Sequence, residues 1–99
     1  MDDLLARLQQ WYSRHCDASW EHQYGICIET LDNPGWRLEV DLAGTPLLLV
    51  AFADLSVERT TTDWVRCRVQ DGKFEGFGGP ENLRELLLSF LKWAEQEQH

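Results

Sequence analysis

Two segments in which apolar and polar residues alternate constrain the fold of this chain more than any other feature. The residues on one side of these segments are Tyr24, Ile26, Ile28 and Thr30, followed by Trp36, Leu38, Val40 and Leu42. A period of two is typical of a β-strand with one buried face. The polar residues 32–35, DNPG, mark a turn between the segments. The sequence therefore predicts an antiparallel hairpin here.

The register of this hairpin follows from parity. If both apolar sets face the core, residues that oppose each other must have an even index sum. This excludes a simple four-residue loop over residues 32–35 and requires a three- or five-residue loop or a bulge. Pairing Thr30 with Trp36 meets the condition. It also sets Glu29 opposite Arg37, so the outer face gains an opposite-charge pair.

Apolar residues spaced three and four apart predict two amphipathic helices, over about residues 2–16 and 82–97. Asp2 and Asp3 suit the positive N-terminal end of the first helix. We expect both helices to cover the same face of the sheet. The core residues predicted from these stripes are Leu8, Trp11, Ile28, Leu38, Val40, Leu87 and Phe90.

The middle of the chain is read in three parts. The almost unbroken apolar run 47–52 predicts a central strand. Residues 54–62 have no clear period and predict a long turn, or a turn with a frayed edge strand. Asp71-Gly72 is a type I′ hairpin signal that sets Arg68 opposite Glu75 and Val69 opposite Phe74. The whole pattern predicts an α+β fold: two layers, with an antiparallel sheet of about five strands.

Composition limits both the size and the partners of the protein. The 99 residues have room for one domain, residues 1–99. Seventeen acidic and nine basic residues give a net charge of −8, which repels phosphate backbones and attracts basic partners. We therefore expect no nucleic-acid binding. No apolar run approaches the roughly 20 residues that cross a bilayer, so no membrane span is expected.

The three cysteines have no disulfide-framework spacing, and the N-terminus lacks the features of a signal peptide. These observations predict a reduced, cytoplasmic protein. The absence of CxxC and HxxxH spacings leaves no skeleton for a zinc site, so neither a metal nor another cofactor is expected. Cys67 lies between Val65 and Val69 and is expected in the core.

Two groups of residues could carry chemistry or binding. Glu21 and His22 could act as an acid–base pair only if a pocket held them with Tyr24, and we expect instead that His22 donates hydrogen bonds that hold a loop. Trp64 alternates with arginines and so belongs to the polar face of the sheet. There it is either a contact anchor or covered by residues 54–62.

Motifs along nearly the whole chain identify a resemblance. They are Trp11-Tyr12, Cys16-Asp17, Trp20-Glu21-His22, Tyr24-Gly25, Thr30 to Trp36 (TLDNPGW), Trp64, Cys67, Asp71-Gly72, Phe74, Gly79 to Leu83 (GPENL), Phe90 and Trp93. With these residues the chain resembles the immunity protein 53 family of bacterial polymorphic-toxin systems. Ala18-Ser19 stands where we expect that family to favour Gly-Asp.

The resemblance implies a non-catalytic function, in which the protein binds and neutralises a cognate toxin encoded beside it. An acidic protein associates quickly with a basic toxin, so acidic and aromatic residues on loops and on the outer sheet face are the candidates. The candidate toxin-binding residues are Asp17, Trp20, Glu21, His22, Asp32, Glu39, Asp41 and Trp64. The alternatives are a small adaptor or oligomerisation module, with a self-complementary apolar patch, and a small enzyme that uses Glu21 and His22.

Overall fold

The structure, a computed structural model, describes residues 3–97, and its strands form one antiparallel sheet. The elements in chain order are α1 (Leu4–His15), α2 (Trp20–Gln23), β1 (Ile26–Leu31), β2 (Gly35–Asp41), a 3₁₀ helix (Pro46–Leu49), β3 (Leu55–Glu58), β4 (Trp64–Gln70), β5 (Lys73–Gly78) and α3 (Leu83–Glu97). The strand order is β1-β2-β5-β4-β3. The predicted α+β class is confirmed.

Both hairpins have the predicted registers. Thr30 pairs with Trp36 and Glu29 with Arg37, across a three-residue loop. In the second hairpin Arg68 pairs with Glu75. The two turn residues of this hairpin, Asp71 and Gly72, both have positive φ, as a type I′ turn requires.

The helices contribute to one hydrophobic core that also includes side chains of β2, β4 and β5. Helix α3 packs against these three strands, and α1 packs against α3. The side chain of Asp3 accepts a hydrogen bond from the backbone of Ala6 at 3.0 Å and so caps α1. Asp2 lies outside the described residues. The predicted core residues that are buried are Leu8, Trp11, Leu38, Val40, Leu87 and Phe90.

The prediction that Ile28 is buried is wrong, because its side chain is 40% exposed. Ile28 pairs directly with Leu38, which is fully buried, so the assigned face is correct. The difference is position: β1 is an edge strand, and α3 packs on strands nearer the centre of the sheet. Alternation in a sequence gives the face of a strand but not its place in the sheet.

The predicted central strand over residues 47–52 is also wrong. The run begins with the 3₁₀ helix Pro46–Leu49, which Thr45 caps by accepting the backbone N–H of Leu47 at 3.2 Å. Proline fixes a φ that suits a first helical turn and donates no hydrogen bond to a sheet. Only one face of this short turn is covered, so Leu47 is buried whereas Leu49 is 94% exposed.

Residues 54–62 contain the edge strand β3, as one of the two sequence interpretations proposed. It pairs with β4 from Leu55 to Glu58. Within the described part of the chain, no helix is both long enough and apolar enough to cross a membrane.

Candidate functional site

The segment between α1 and β1 holds Asp17, Trp20, Glu21 and His22 in one tight turn. Asp17 Oδ1 accepts the backbone N–H groups of Ser19 at 3.0 Å and Trp20 at 2.8 Å. Glu21 reaches back and accepts those of Asp17 at 2.9 Å and Ala18 at 2.8 Å. The two carboxylates therefore close the turn reciprocally, in the manner of a capping box.

These hydrogen bonds change the acidity of both groups. The N–H of Trp20, followed by that of Ser19, lowers the pKa of Asp17. The pKa of Glu21 is lowered by its own backbone N–H and then by those of Asp17 and Ala18. Hydrogen bonding to the charged form is the cause in each case. Both side chains are thus fixed as carboxylates whose oxygens serve the turn.

Trp20 anchors the turn to the body of the protein. Its side chain is only 5% exposed, and its indole N–H donates to the carbonyl of Ala43 at 2.8 Å. Its ring lies edge-on to Trp11, with centroids 6.0 Å apart. Gly44 allows this approach, because a Cβ there would lie 3.0 Å from the indole ring. The buried Trp20 side chain therefore attaches the turn to the core and fixes its position.

His22 is exposed at the end of this turn. Its backbone N–H donates to the carbonyl of Ser19 at 3.2 Å, but among residues 3–97 its side chain makes no hydrogen bond, so the prediction that the His22 side chain holds the loop is wrong. The ring of His15 instead contacts the carbonyl of Trp11 at 2.7 Å. Glu21, His22 and Tyr24 line neither a cleft of about 510 Å³ beside Trp64 nor one of about 340 Å³ beside Tyr12. The described residues contain no group of His, Cys, Asp and Glu arranged to hold a metal ion.

Glu39 and Asp41 lie on the outer face of the sheet, which is the face away from the helices, and both are paired with cations. Glu39 bonds to Arg37 and lies 3.4 Å from Lys73, while Asp41 lies 3.9 Å from Lys73. Asp41 also accepts the backbone N–H of Gly25 at 2.9 Å. The two side chains are only 18% and 21% exposed.

This charge pairing results from a contact between distant segments. Strand β5 inserts beside β2 and sets Lys73 opposite Asp41. The same face carries a pair between Glu29 and Arg37 and one between Arg68 and Glu75 at 2.8 Å. Much of the negative charge on this face is therefore matched locally.

A cleft of about 510 Å³ lies at the opposite end of the outer face from Asp41. Its lining includes Leu31, Trp64, Arg66 and Phe77. Trp64 lies on the polar face, as predicted, and is half-buried. The guanidinium of Arg66 lies 5.9 Å from the centre of the Trp64 ring, within the range of a cation–π contact. We call this cleft, at the end of the sheet away from Asp41, the outer cleft.

The candidate residues thus fall into separate places. Asp17, Trp20, Glu21 and His22 share one turn, whereas Asp32 is exposed in the β1–β2 loop. Asn33, next to Asp32, lines the outer cleft together with Trp64. Strand β2 is 7 residues long, so its first residue lies about 20 Å along the sheet from Asp41. The candidate residues near Asp32 and those near Asp41 therefore need not belong to the same contact surface.

The predictions from sequence missed Phe77, Leu31 and Arg66 as parts of the cleft. A signal for Phe77 was present: the Arg68–Glu75 register, extended by one pair of outward residues, places Arg66 opposite Phe77. No comparable signal existed for Leu31, because β1 and β4 are distant in the chain and are not neighbours in the sheet.

Comparison with known proteins gives one positive result. The family model described as Immunity protein 53 matches residues 5–95, which is most of the chain and includes the turn, both hairpins and the outer cleft. No curated protein and no solved structure matches the chain. On the extent of the family match, the chain belongs to the immunity protein 53 family.

Proposed function

We propose that the protein is an immunity protein that binds a cognate toxin, encoded beside it in a polymorphic-toxin system, and neutralises it in the cytoplasm of the producing cell. Membership of an immunity protein family is the observation that carries this proposal. The protein acts by occupying a surface of the toxin and catalyses no reaction itself.

The net charge of −8 supports a basic toxin domain as partner. Opposite net charges increase the rate of encounter, and the interaction is screened over about 8–10 Å at ordinary ionic strength. Of the candidates on and beside the sheet, we propose Asp32 and Trp64 for direct contact, since Asp32 is exposed and Trp64 lines the outer cleft. Glu39 and Asp41 add to the field of the outer face.

The turn of Asp17, Trp20 and Glu21 contributes differently. Its carboxylates bond to backbone and its tryptophan is buried, so these residues hold His22 in an exposed position. We propose that His22 is the member of this group available for contact. The role of the other three is to fix the loop that presents it.

The test is protection in cells combined with isolation of a complex. A bacterial strain that expresses the adjacent toxin domain should survive only when this protein is co-expressed. An inactivated form of the toxin should co-elute with the protein in size-exclusion chromatography. Loss of viability despite full expression of folded protein, together with separate elution, would refute the proposal. A self-associated species that binds no toxin would favour the oligomerisation module.

A further inference from the structure

The floor of the outer cleft is apolar and has no layer of the fold above it. Leu31, Trp64 and Phe77 come from three different strands and project from the face opposite the helices. On two of these strands the adjacent residues are buried on the opposite face: Val65 follows Trp64, and Gly76 and Gly78 flank Phe77. An apolar side chain that enters such a site removes the apolar floor from water, and this burial stabilises the complex.

The wall of the cleft carries a cation without a matching anion. The outer face has four basic residues, and three of them, Arg37, Arg68 and Lys73, form ion pairs. Within residues 3–97 Arg66 forms neither an ion pair nor a side-chain hydrogen bond, and its guanidinium lies 5.9 Å from the centre of the Trp64 ring. Asp54 lines the same cleft but makes no ion pair with Arg66. The guanidinium of Arg66 therefore keeps its donors available for a partner.

The occupant follows from charge complementarity. An arginine beside an aromatic ring binds carboxylates through two parallel hydrogen bonds, and Trp and Arg are enriched among residues that dominate interface energies. We infer that the outer cleft receives a segment of the toxin in which a carboxylate side chain adjoins an aromatic or aliphatic one. This inference rests on the proposed function and adds the surface and the chemistry of the contact.

A basic toxin and an acidic contact segment are compatible, because they act at different ranges. Net charge governs encounter over a Debye length, whereas the Arg66 pair forms only after water has left the cleft. Removal of one partner from such a desolvated pair costs several times what an exposed pair contributes. Arg66 should therefore affect the dissociation rate more than the association rate.

The experiment measures binding of the inactivated toxin domain to four forms of the full chain. They are the wild type, Arg66→Glu, Arg66→Lys and the control Arg84→Glu. Arg84 is an exposed arginine of α3, on the helical side of the sheet, and its substitution makes the same change in net charge. Surface plasmon resonance gives both rate constants, and thermal melts check that each variant is folded.

We expect Arg66→Glu to raise the Kd by roughly 30-fold or more, mainly through faster dissociation. Arg66→Lys keeps the charge but loses the planar fork, so its Kd should lie between those of Arg66→Glu and the wild type. Arg84→Glu should stay within about threefold of the wild type, since its change acts only through the long-range field.

The outcomes separate this inference from the proposed function. If the wild type binds and protects cells but Arg66→Glu binds equally well, the inference is wrong and the immunity function stands. An equal loss in Arg84→Glu also overturns it, because net charge alone would then explain the effect. If the wild type neither binds nor protects, the proposed function fails and the inference fails with it.

Discussion

Substitution of Ala18 by glycine should increase the stability of this protein. Its φ is +73°, in the left-handed region, which costs a residue with a Cβ about 1–2 kcal/mol. The hydrogen bonds of Asp17 and Glu21 hold the turn in this conformation. The family resemblance leads us to expect glycine here, and the backbone supplies a physical reason for that expectation.

Ala18→Gly should raise the free energy of unfolding by about 0.5–1 kcal/mol. Relief of the strain outweighs the roughly 0.4–1 kcal/mol of extra conformational entropy that glycine brings to the unfolded chain. The exposed methyl group contributes little burial, and glycine still donates its backbone N–H to Glu21. In a domain of this size the Tm should rise by about 2–8 °C.

Thermal and urea melts of wild type, Ala18→Gly and the control Ala53→Gly measure this effect. Ala53 is also exposed and lies outside regular structure, but its φ is not positive. Its replacement should therefore lower stability by up to about 1 kcal/mol. If both substitutions shift the Tm in the same direction, the argument from backbone strain is refuted.

Three further predictions rest on equally local features. Gly79→Ala should cost roughly 1–3 kcal/mol, because a Cβ there would overlap the backbone carbonyl of Thr62; a Tm unchanged from the wild type would contradict this. Iodoacetamide should label the exposed Cys27 in the native protein but Cys67 only after unfolding, since burial raises the pKa of Cys67 to about 11; mass spectrometry after brief labelling checks the order. Because the pKa of Asp17 is lowered in the fold, ionised Asp17 stabilises the protein at pH values above the ordinary aspartate pKa. This contribution is lost as the pH falls through the lowered pKa of the folded state. The stability difference between wild type and Asp17→Asn, measured by urea melts, should therefore narrow in acid, and a constant difference would argue against the assigned hydrogen bonds.

Sequence pattern predicted the parts of this fold that depend on neighbouring segments. Both hairpin registers follow from alternation and turn chemistry, which act over a dozen residues. The insertion of β5 beside β2 depends on the packing of the whole domain, and no local rule indicates it. The exposure of Ile28 and the pairing of Asp41 with Lys73 both result from strand order, so neither could be derived from alternation.

The prediction of a strand over residues 47–52 is wrong for a different reason. Its apolar composition fits a buried strand, but Pro46 and the Thr45 cap favour a helical turn at its start. The apolar run extends over six residues, whereas the capping signal consists of two. A prediction based on the average hydrophobicity of the segment therefore overlooks the capping signal. Turn chemistry at the start of an apolar run therefore decides its conformation, and hydrophobicity decides only which side chain, here Leu47, reaches the core.

Charge on this protein acts on two scales, and the structure separates them. Glu39 and Asp41 count toward the net charge of −8, yet Arg37 and Lys73 match them at short range. A positive charge placed at Glu39 would lie beside two cations, so it would disturb the sheet as well as the approach of a partner. Asp32 belongs to no ion pair within residues 3–97, so its charge contributes to the field without supporting the fold. Under the proposed function, we expect the long-range attraction of a basic toxin to come from the whole net charge, to which exposed residues such as Asp32 contribute, while the outer face of the sheet contributes apolar surface and Arg66.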